Sequence, residues 1–349
     1  MRKLAMIGCG GIGAYHLEHF LDYTDIELAG FCDLIPERAD DFARRTGGKA
    51  FTDYKAMYDA INPDLVFICI PPSKHGEIEM ETIRRGIPFF VEKPLALDLD
   101  MARTIRDAAE KAGVITASGF QCRYSNLVQP TIDYIRDHEV VYINCVRVGG
   151  IPGVDWWKKR ALSGGQIVEQ TIHQFDIIRY LYGEPETVFT MGTRGFNIGD
   201  PDYDTEDLTV TAVRFASGAL ATISTGCYAS EGAAFDSKIT FGARDSRLDH
   251  YILYKVGIYG IEQAANADEQ SSLVVKGDGT MRAVADDGYR IDDDGKAGVD
   301  CDRTFVDAVL SGDGSKIRSP YADAFKSLAF TLACNQSMDT GLPVQVVKN

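Results

Sequence analysis

Met1-Arg2-Lys3-Leu4-Ala5-Met6-Ile7-Gly8-Cys9-Gly10-Gly11-Ile12-Gly13 opens the chain. A short apolar run ends in glycines spaced G-x-G-x-x-G and passes into a helical pattern. After a strand and before a helix, Gly8 permits a tight turn, Gly10 lets backbone approach a pyrophosphate, and Gly13 allows close helix–strand packing. Gly11 and Ile12 then supply amide groups at the helix start, where an anion is favoured. The spacing alone also fits a bare glycine turn or a methyltransferase loop. Asp33 narrows the choice: it ends the next apolar run about 20 residues after Gly13, where a carboxylate accepts from ribose hydroxyls. Leu34 follows it, with no cation directly after the acid, which favours NAD over NADP. Arg38 either reaches a phosphate or is a solvated helix-face arginine.

Outward from this turn, apolar runs at Leu4–Ile7, Glu27–Cys32, Leu65–Ile70, Ile87–Val91 and Val114–Ser118 alternate with amphipathic segments at Gly11–Tyr23, Pro36–Arg45, His75–Arg85 and Asp98–Ala112. Continuously apolar strands joined by helices predict an α/β, doubly wound parallel sheet of the Rossmann type. Beyond about Phe120 the pattern changes. Helices are expected near Leu127–Arg136, Gln166–Tyr182, Arg303–Leu310 and Tyr321–Thr340. Strands are expected at Val140–Val148 and in TVFTMGTRG, DLTVTAVRF, GALATISTGCY, SKITFGA and SLVVKG, with Ser217-Gly218 as a hairpin turn. Asp286–Asp302, rich in Asp and Gly, reads as an exposed loop. The prediction is two units: residues 1–121, binding dinucleotide, and residues 122–349, an α+β domain with an open, mainly antiparallel sheet that supplies substrate and oligomer contacts.

The 349 residues carry a net charge of −15. That field disfavours nucleic acid and anionic membrane surfaces as partners. No apolar run approaches a bilayer span, and the N-terminus reads as a strand rather than a signal peptide. Eight cysteines without a C-x-x-C pair read as buried free thiols of a cytoplasmic protein, and no metal site is expected.

Two further stretches carry chemistry. Ile70-Pro71-Pro72-Ser73-Lys74-His75 ends a strand where open α/β sheets bind ligands, so Pro71 and His75 are cofactor candidates, although a lone histidine there is as readily a capping or surface residue. Glu92-Lys93-Pro94 places an acid and a lysine at the next strand's end, and the proline fixes the backbone there, through a cis bond or otherwise. Alone, that tripeptide is as well explained by a strand-end turn. In Gly164-Gly165-Gln166 through Asp176, a helix from Gln166 would set Glu169, His173 and Asp176 on one face. A histidine so flanked is a general-base candidate with its pKa supported by charge, whereas a solvated polar face is the plainer explanation.

Taken together, Gly8-x-Gly10-x-x-Gly13, Asp33, the Pro71 turn, Glu92-Lys93-Pro94 and the Gly164-Gly165 segment ending in His173 resemble the Gfo/Idh/MocA oxidoreductases, the glucose–fructose oxidoreductase and inositol dehydrogenase group. Phe305–Val309 and Tyr321–Ala324 resemble that family's closing helices. The resemblance implies an NAD-dependent dehydrogenase acting on a sugar or polyol, with Lys93 and His173 contacting the reacting hydroxyl. Glu169 stands where the family usually has Asp, which shifts its reach. Gln121 and Arg123 fit positions beside the nicotinamide and substrate. Trp156 and Trp157 either line the substrate pocket or pack in the core. A homo-oligomer, dimer or tetramer, is implied. The alternatives are an NAD-dependent glycosidase working through transient oxidation and elimination, and a non-catalytic NAD-binding regulator.

Overall fold

The computed structural model describes residues 1–197, 202–229, 236–261, 272–275 and 281–348. In it, β1 (Arg2–Ile7) runs from an exposed end into four buried residues and stops at Gly8. There φ is +91°, and a Cβ would sit 2.1 Å from the Cys69 carbonyl oxygen, so only glycine fits the turn. Helix α1 (Gly11–Phe20) follows, then β2 (Ile26–Cys32), α2 (Pro36–Thr46), β3 (Lys49–Phe51), α3 (Tyr54–Ile61), β4 (Leu65–Ile68), α4 (Glu77–Arg84), β5 (Phe89–Val91), α5 (Leu99–Ala112) and β6 (Thr116–Ser118). The six strands pair in parallel in the order β3-β2-β1-β4-β5-β6. This is the doubly wound order expected, and both faces are covered. Ala5, Ile7, Val66, Ile68, Phe89 and Val91 pack on one side, and Leu4, Met6, Phe67 and Phe90 on the other, as strand alternation requires. The order reverses between β1 and β4, so the carboxyl ends of these strands open a crevice.

The remainder comprises α6 (Val128–Asp137), β7 (Tyr142–Gly150), α7 (Arg160–Ser163), α8 (Ile172–Tyr182), β8 (Pro185–Thr193), β9 (Leu208–Phe215), β10 (Leu220–Ala229), β11 (Asp236–Gly242), β12 (Ser246–Tyr251), β13 (Lys255–Ile261), β14 (Ser272–Val275), β15 (Met281–Asp292), α9 (Ala297–Ser311), α10 (Tyr321–Thr340) and β16 (Val344–Gln345). A ten-stranded sheet runs β14-β15-β13-β12-β11-β7-β10-β9-β8-β16. Its β7–β10 pair is parallel and its other pairs are antiparallel. Tyr134, Phe175, Ile178 and Phe330 cover one face with apolar side chains. The other face leaves Phe189, Met191, Val210 and Leu220 exposed.

Gly218 turns the β9–β10 hairpin at φ +88°, as Ser217-Gly218 predicts. Lys276 and Gly277 of SLVVKG lie outside the described residues. Two expectations are corrected. The helix expected from Gln166 begins at Ile172; residues 166–170 form a separate turn. The Glu169 carbonyl accepts from the Lys93 ammonium at 3.1 Å, which takes up the acceptor that a continuous helix would give to the amide of residue 173. The loop expected over Asp286–Asp302 is the end of β15, a short turn and the start of α9. That helix returns to the first sheet, where Phe305 and Val306 join its core. The first half of α10 does the same through Tyr321, Phe325 and Leu328, while Phe330 and Cys334 of its second half join the core of the larger sheet. All eight cysteines are buried and free. Among the described residues, no helix is long and apolar enough to cross a membrane.

Candidate active site

The glycine turn is closed on one side and open on the other. A Cβ on Gly13 would sit 2.2 Å from the Gly8 carbonyl oxygen, whereas a Cβ on Gly11 would meet nothing within 4 Å. Gly10 caps α1 without a side-chain bond, so the first amide groups of the helix point out unpaired by it. Asp33 braces the loop: its Oδ2 accepts from the Cys9 amide and its Oδ1 from the Ile35 amide, both at 2.8 Å. A carboxylate offers about four acceptor positions, which leaves room for ribose hydroxyls. These residues fit a dinucleotide. The exposed Arg38 guanidinium hangs near Gly10, 3.9 Å from where its Cβ would be. Pro71 ends the β4 turn, and the Lys74 amide bonds back to its carbonyl at 2.9 Å. His75 is not displayed to the crevice. Its side chain is wholly buried, and Nδ1 lies 2.6 Å from Glu79 Oε1. Nε2 lacks a hydrogen-bond partner.

Beyond β5 the Lys93-Pro94 bond is cis, and the Lys93 side chain crosses to the Gly165–Gln170 turn. There Nζ donates to Glu169 Oε1 at 3.0 Å as well as to the Glu169 carbonyl. Burial opposes the charge on Lys93, but Glu169 and then Glu92 outweigh it and hold the pKa above the ordinary lysine value. The other Glu169 oxygen accepts from the Trp157 indole at 2.6 Å. His173, one residue into α8, lines the same cavity as Lys93, Glu92, Gln121 and Ile12. Burial first, then the Lys93 and Arg147 charges, pull its pKa down to about 3. Its Nδ1 lies 4.0 Å from the Cys122 sulfur. A fixed ammonium and a neutral imidazole thus share one cavity at the mouth of the glycine crevice. Such a pair can hold an oxygen, stabilise negative charge on it and take its proton.

Three expectations need correction. Glu169 does not flank His173; it is committed to Lys93 and Trp157, because the helix starts after it. Asp176 is likewise turned away, bonded to Arg123 and Ser327. Arg123 is fully buried, paired with Asp176 and Asp323, and its amino groups also hold the Arg318 carbonyl at 2.7 Å. Its guanidinium therefore ties the short turn Gln121–Tyr124, ahead of α6, to α8 and α10 instead of meeting a substrate. Trp157 is fully buried and offers its N–H rather than a ring face. Trp156 remains partly exposed. Replacing Trp157 with Phe keeps an aromatic ring, though a smaller one, and removes the indole donor, so kcat is expected to fall roughly tenfold, the value of one charge-assisted hydrogen bond. Steady-state kinetics with NAD binding as control checks this; an unchanged kcat would show that Glu169 needs no second clamp.

Sequence reading missed the α1–α9 side of the cavity. Tyr15 donates to Gln121 Oε1 at 2.7 Å. His16, wholly buried, lies 3.1 Å from Glu92 Oε1 and 2.8 Å from Asp302 Oδ2. Burial opposes its charge, but Asp302 and Glu92 raise its pKa to about 10. His16 follows Gly13 by three residues, a signal within reach of the motif. Asp302 was hidden by the loop expectation.

Comparison with known proteins agrees with this architecture. Residues 2–120 match the family described as "Oxidoreductase family, NAD-binding Rossmann fold". Residues 139–244 match "GFO/IDH/MocA C-terminal domain". Myo-inositol 2-dehydrogenase of Thermotoga maritima is 29% identical over 250 residues, 69% of this chain and 73% of that protein. D-glucoside 3-dehydrogenase of Escherichia coli is 26% identical over 238 residues, 62% of this chain and 68% of that protein. The solved structure of levoglucosan dehydrogenase in complex with NADH superposes with a TM-score of 0.81 at 18% identity, covering 100% of both chains, a likeness of fold.

Proposed function

The chain belongs to the Gfo/Idh/MocA family of oxidoreductases, and on that premise we propose that it transfers a hydride between NAD and a secondary hydroxyl or ketone carbon of a sugar, glycoside or cyclitol. The observation that carries this reading is the pairing of a charged Lys93 with a neutral His173 in one cavity beside the glycine turn.

NAD, when bound, supplies the hydride acceptor. The Gly8–Gly13 turn and the α1 amides hold its phosphates, Asp33 its ribose hydroxyls, and Gln121 the nicotinamide side of the cavity. His173 takes the hydroxyl proton on Nε2, in the tautomer whose Nδ1–H faces Cys122. Lys93 holds the same oxygen and stabilises the negative charge that develops there. Glu169 positions Lys93, and Trp157 positions Glu169. Glu92, pressed against Gly119, adds negative charge beside Lys93: a Cβ on Gly119 would lie 2.0 Å from Glu92 Oε1. Residues 1–121 serve the cofactor and 122–349 the substrate and oligomer, with α9 returning to line the cofactor side through Gly298 and Cys301. Cytoplasmic residence fits the eight free thiols. Association through the bare sheet face fits the exposed Phe189, Met191 and Val210, since such apolar patches are commonly covered.

The test is a panel of cyclitols, aldoses, uronates and glycosides with NAD and with NADP, following the absorbance of reduced nicotinamide. Reduced NAD is expected to accumulate with at least one substrate. Bond cleavage in a glycoside with no net reduced cofactor would replace this reading by the glycosidase one. Cofactor binding with no turnover of any kind would replace it by the regulator.

A further inference from the structure

Among the described residues, no carboxylate pairs with the charge of Arg147. Along β7, Ile143 and Cys145 are fully buried on the helix-covered face, and Arg147 follows at the two-residue repeat, so it points to that same face. It pairs in register with Thr225 of β10. The Thr225 hydroxyl accepts from Gln166 Nε2 at 2.9 Å, and Gln166 opens the turn that carries Glu169 and leads to His173. Arg147 therefore stands in the wall facing that turn.

Its direct contacts are neutral. Nη1 alone makes both contacts, to the Gly226 carbonyl at 3.3 Å and to the Cys227 sulfur at 3.2 Å. Nε and Nη2, the edge that grips a carboxylate or phosphate side-on, make no hydrogen bond among the described residues. No described carboxylate lies within ion-pair distance of Arg147, although the chain holds 51 acidic residues against 36 basic ones. Glu169, on the facing turn, is committed to Lys93 and Trp157. Other partly or wholly buried arginines are paired: Arg123 holds Asp176 and Asp323, and Arg179 holds Glu184 and Asp323. The space is also shaped for the group. A Cβ on Gly149 would sit 3.0 Å from the Arg147 guanidinium carbon, so the glycine leaves the planar group room to lie flat against the strand. The Arg147 charge reaches the imidazole, where it contributes to holding His173 neutral. Partial burial of a cation without a counter-charge costs free energy, and a ligand's own charge offsets that cost.

We propose that Arg147 forms an anion subsite and that the substrate is an acidic carbohydrate, bearing a carboxylate or a phosphate ester, gripped at its charged group while the reacting carbon lies between Lys93 and His173. This rests on the function proposed above and adds the substrate's charge. The test is calorimetric titration of the NAD-loaded protein with D-glucuronate, D-galacturonate and D-glucose 6-phosphate against the neutral D-glucose and D-galactose. It is run on the natural chain, on Arg147→Met, and on Gly149→Val, which displaces the guanidinium without removing it. At least one anion is expected to bind the natural chain about tenfold more tightly than its neutral partner, as a charge-assisted bidentate contact allows, and both variants should lose that preference. The uronate and phosphate arms show which anion is held. Equal binding of neutral and charged sugars, no binding of the charged ones, or a preference that survives Arg147→Met overturns the proposal. Hydride transfer is read separately: a protein that grips uronates through Arg147 yet never reduces NAD sinks the dehydrogenase reading alone, and one that oxidises neutral sugars without any anion preference sinks this one alone.

Discussion

Lys93→Ala is expected to lower kcat by about 1000-fold or more while the protein still folds and binds NAD. Two losses combine. The ammonium that stabilises the developing alkoxide disappears, an effect on the order of 100- to 1000-fold for one removed charge-stabilising donor. The Glu169 carbonyl and carboxylate also lose the donor that holds them at 3.1 and 3.0 Å, so the turn before His173 loses its anchor. NAD affinity should stay near that of the natural chain, because the glycine turn, the α1 amides and Asp33 form a separate contact set on β1 and β2. Lys93→Arg is the informative companion. It keeps a charge, but the planar guanidinium cannot reproduce the compact ammonium that reaches Glu169 and a substrate oxygen together, so most of the loss should remain. Fluorescence titration with reduced cofactor and single-turnover kinetics separate binding from chemistry. A Lys93→Ala protein with natural kcat, or one whose NAD affinity collapses in step with turnover, removes Lys93 from the reaction.

The parts of the fold that could be read from sequence are those whose signals are local. Gly8 and Gly13 announce themselves because their roles, a positive φ and a close helix–strand contact, depend on having no side chain. The strands through Phe67 and Phe90 are legible because both faces are buried and the residues are continuously apolar. β3 is only Lys49–Phe51, too short for any periodicity to register. Composition misled at Asp286–Asp302. Asp and Gly are common in loops, but Asp302 faces His16 and His19 at 2.8 and 2.6 Å, a tertiary pairing invisible along the chain. The active-site pair was legible because strand ends and glycine-flanked segments place chemistry predictably. Their connections were not. Whether Glu169 serves His173 or Lys93 is decided by where α8 starts, and that is decided by a lysine 76 residues earlier in the chain. Arg123 shows the same limit: its charge is equally consistent with a substrate contact or a buried pair until Asp176 and Asp323 are seen around it.

His173→Gln is expected to lower kcat/KM for hydroxyl oxidation by roughly 100- to 10,000-fold, the range for loss of a positioned general base, and the pH dependence is the sharper test. With its pKa near 3, held there by burial and then by Lys93 and Arg147, the imidazole is neutral throughout the physiological range. The acid limb of kcat/KM for the natural chain should therefore lie below pH 6 instead of at the ordinary histidine value of 6.5. Stability carries the same signature with a definite sign. Between the folded value and 6.5 the unfolded chain binds a proton that the folded chain refuses, so acidification through this window costs stability. The residue's contribution is fully present only above the unfolded pKa. Glutamine does not titrate, so from pH 7 to pH 5 the natural chain should lose about 1–2 kcal/mol more than the variant. His250, also buried and depressed to about 4, contributes equally to both and cancels. Urea unfolding at the two pH values, read beside the kinetic profile, decides the matter. A kinetic limb at 6.5 together with parallel stability losses would mean that His173 takes up its proton freely, and the assignment of the base would pass to another group.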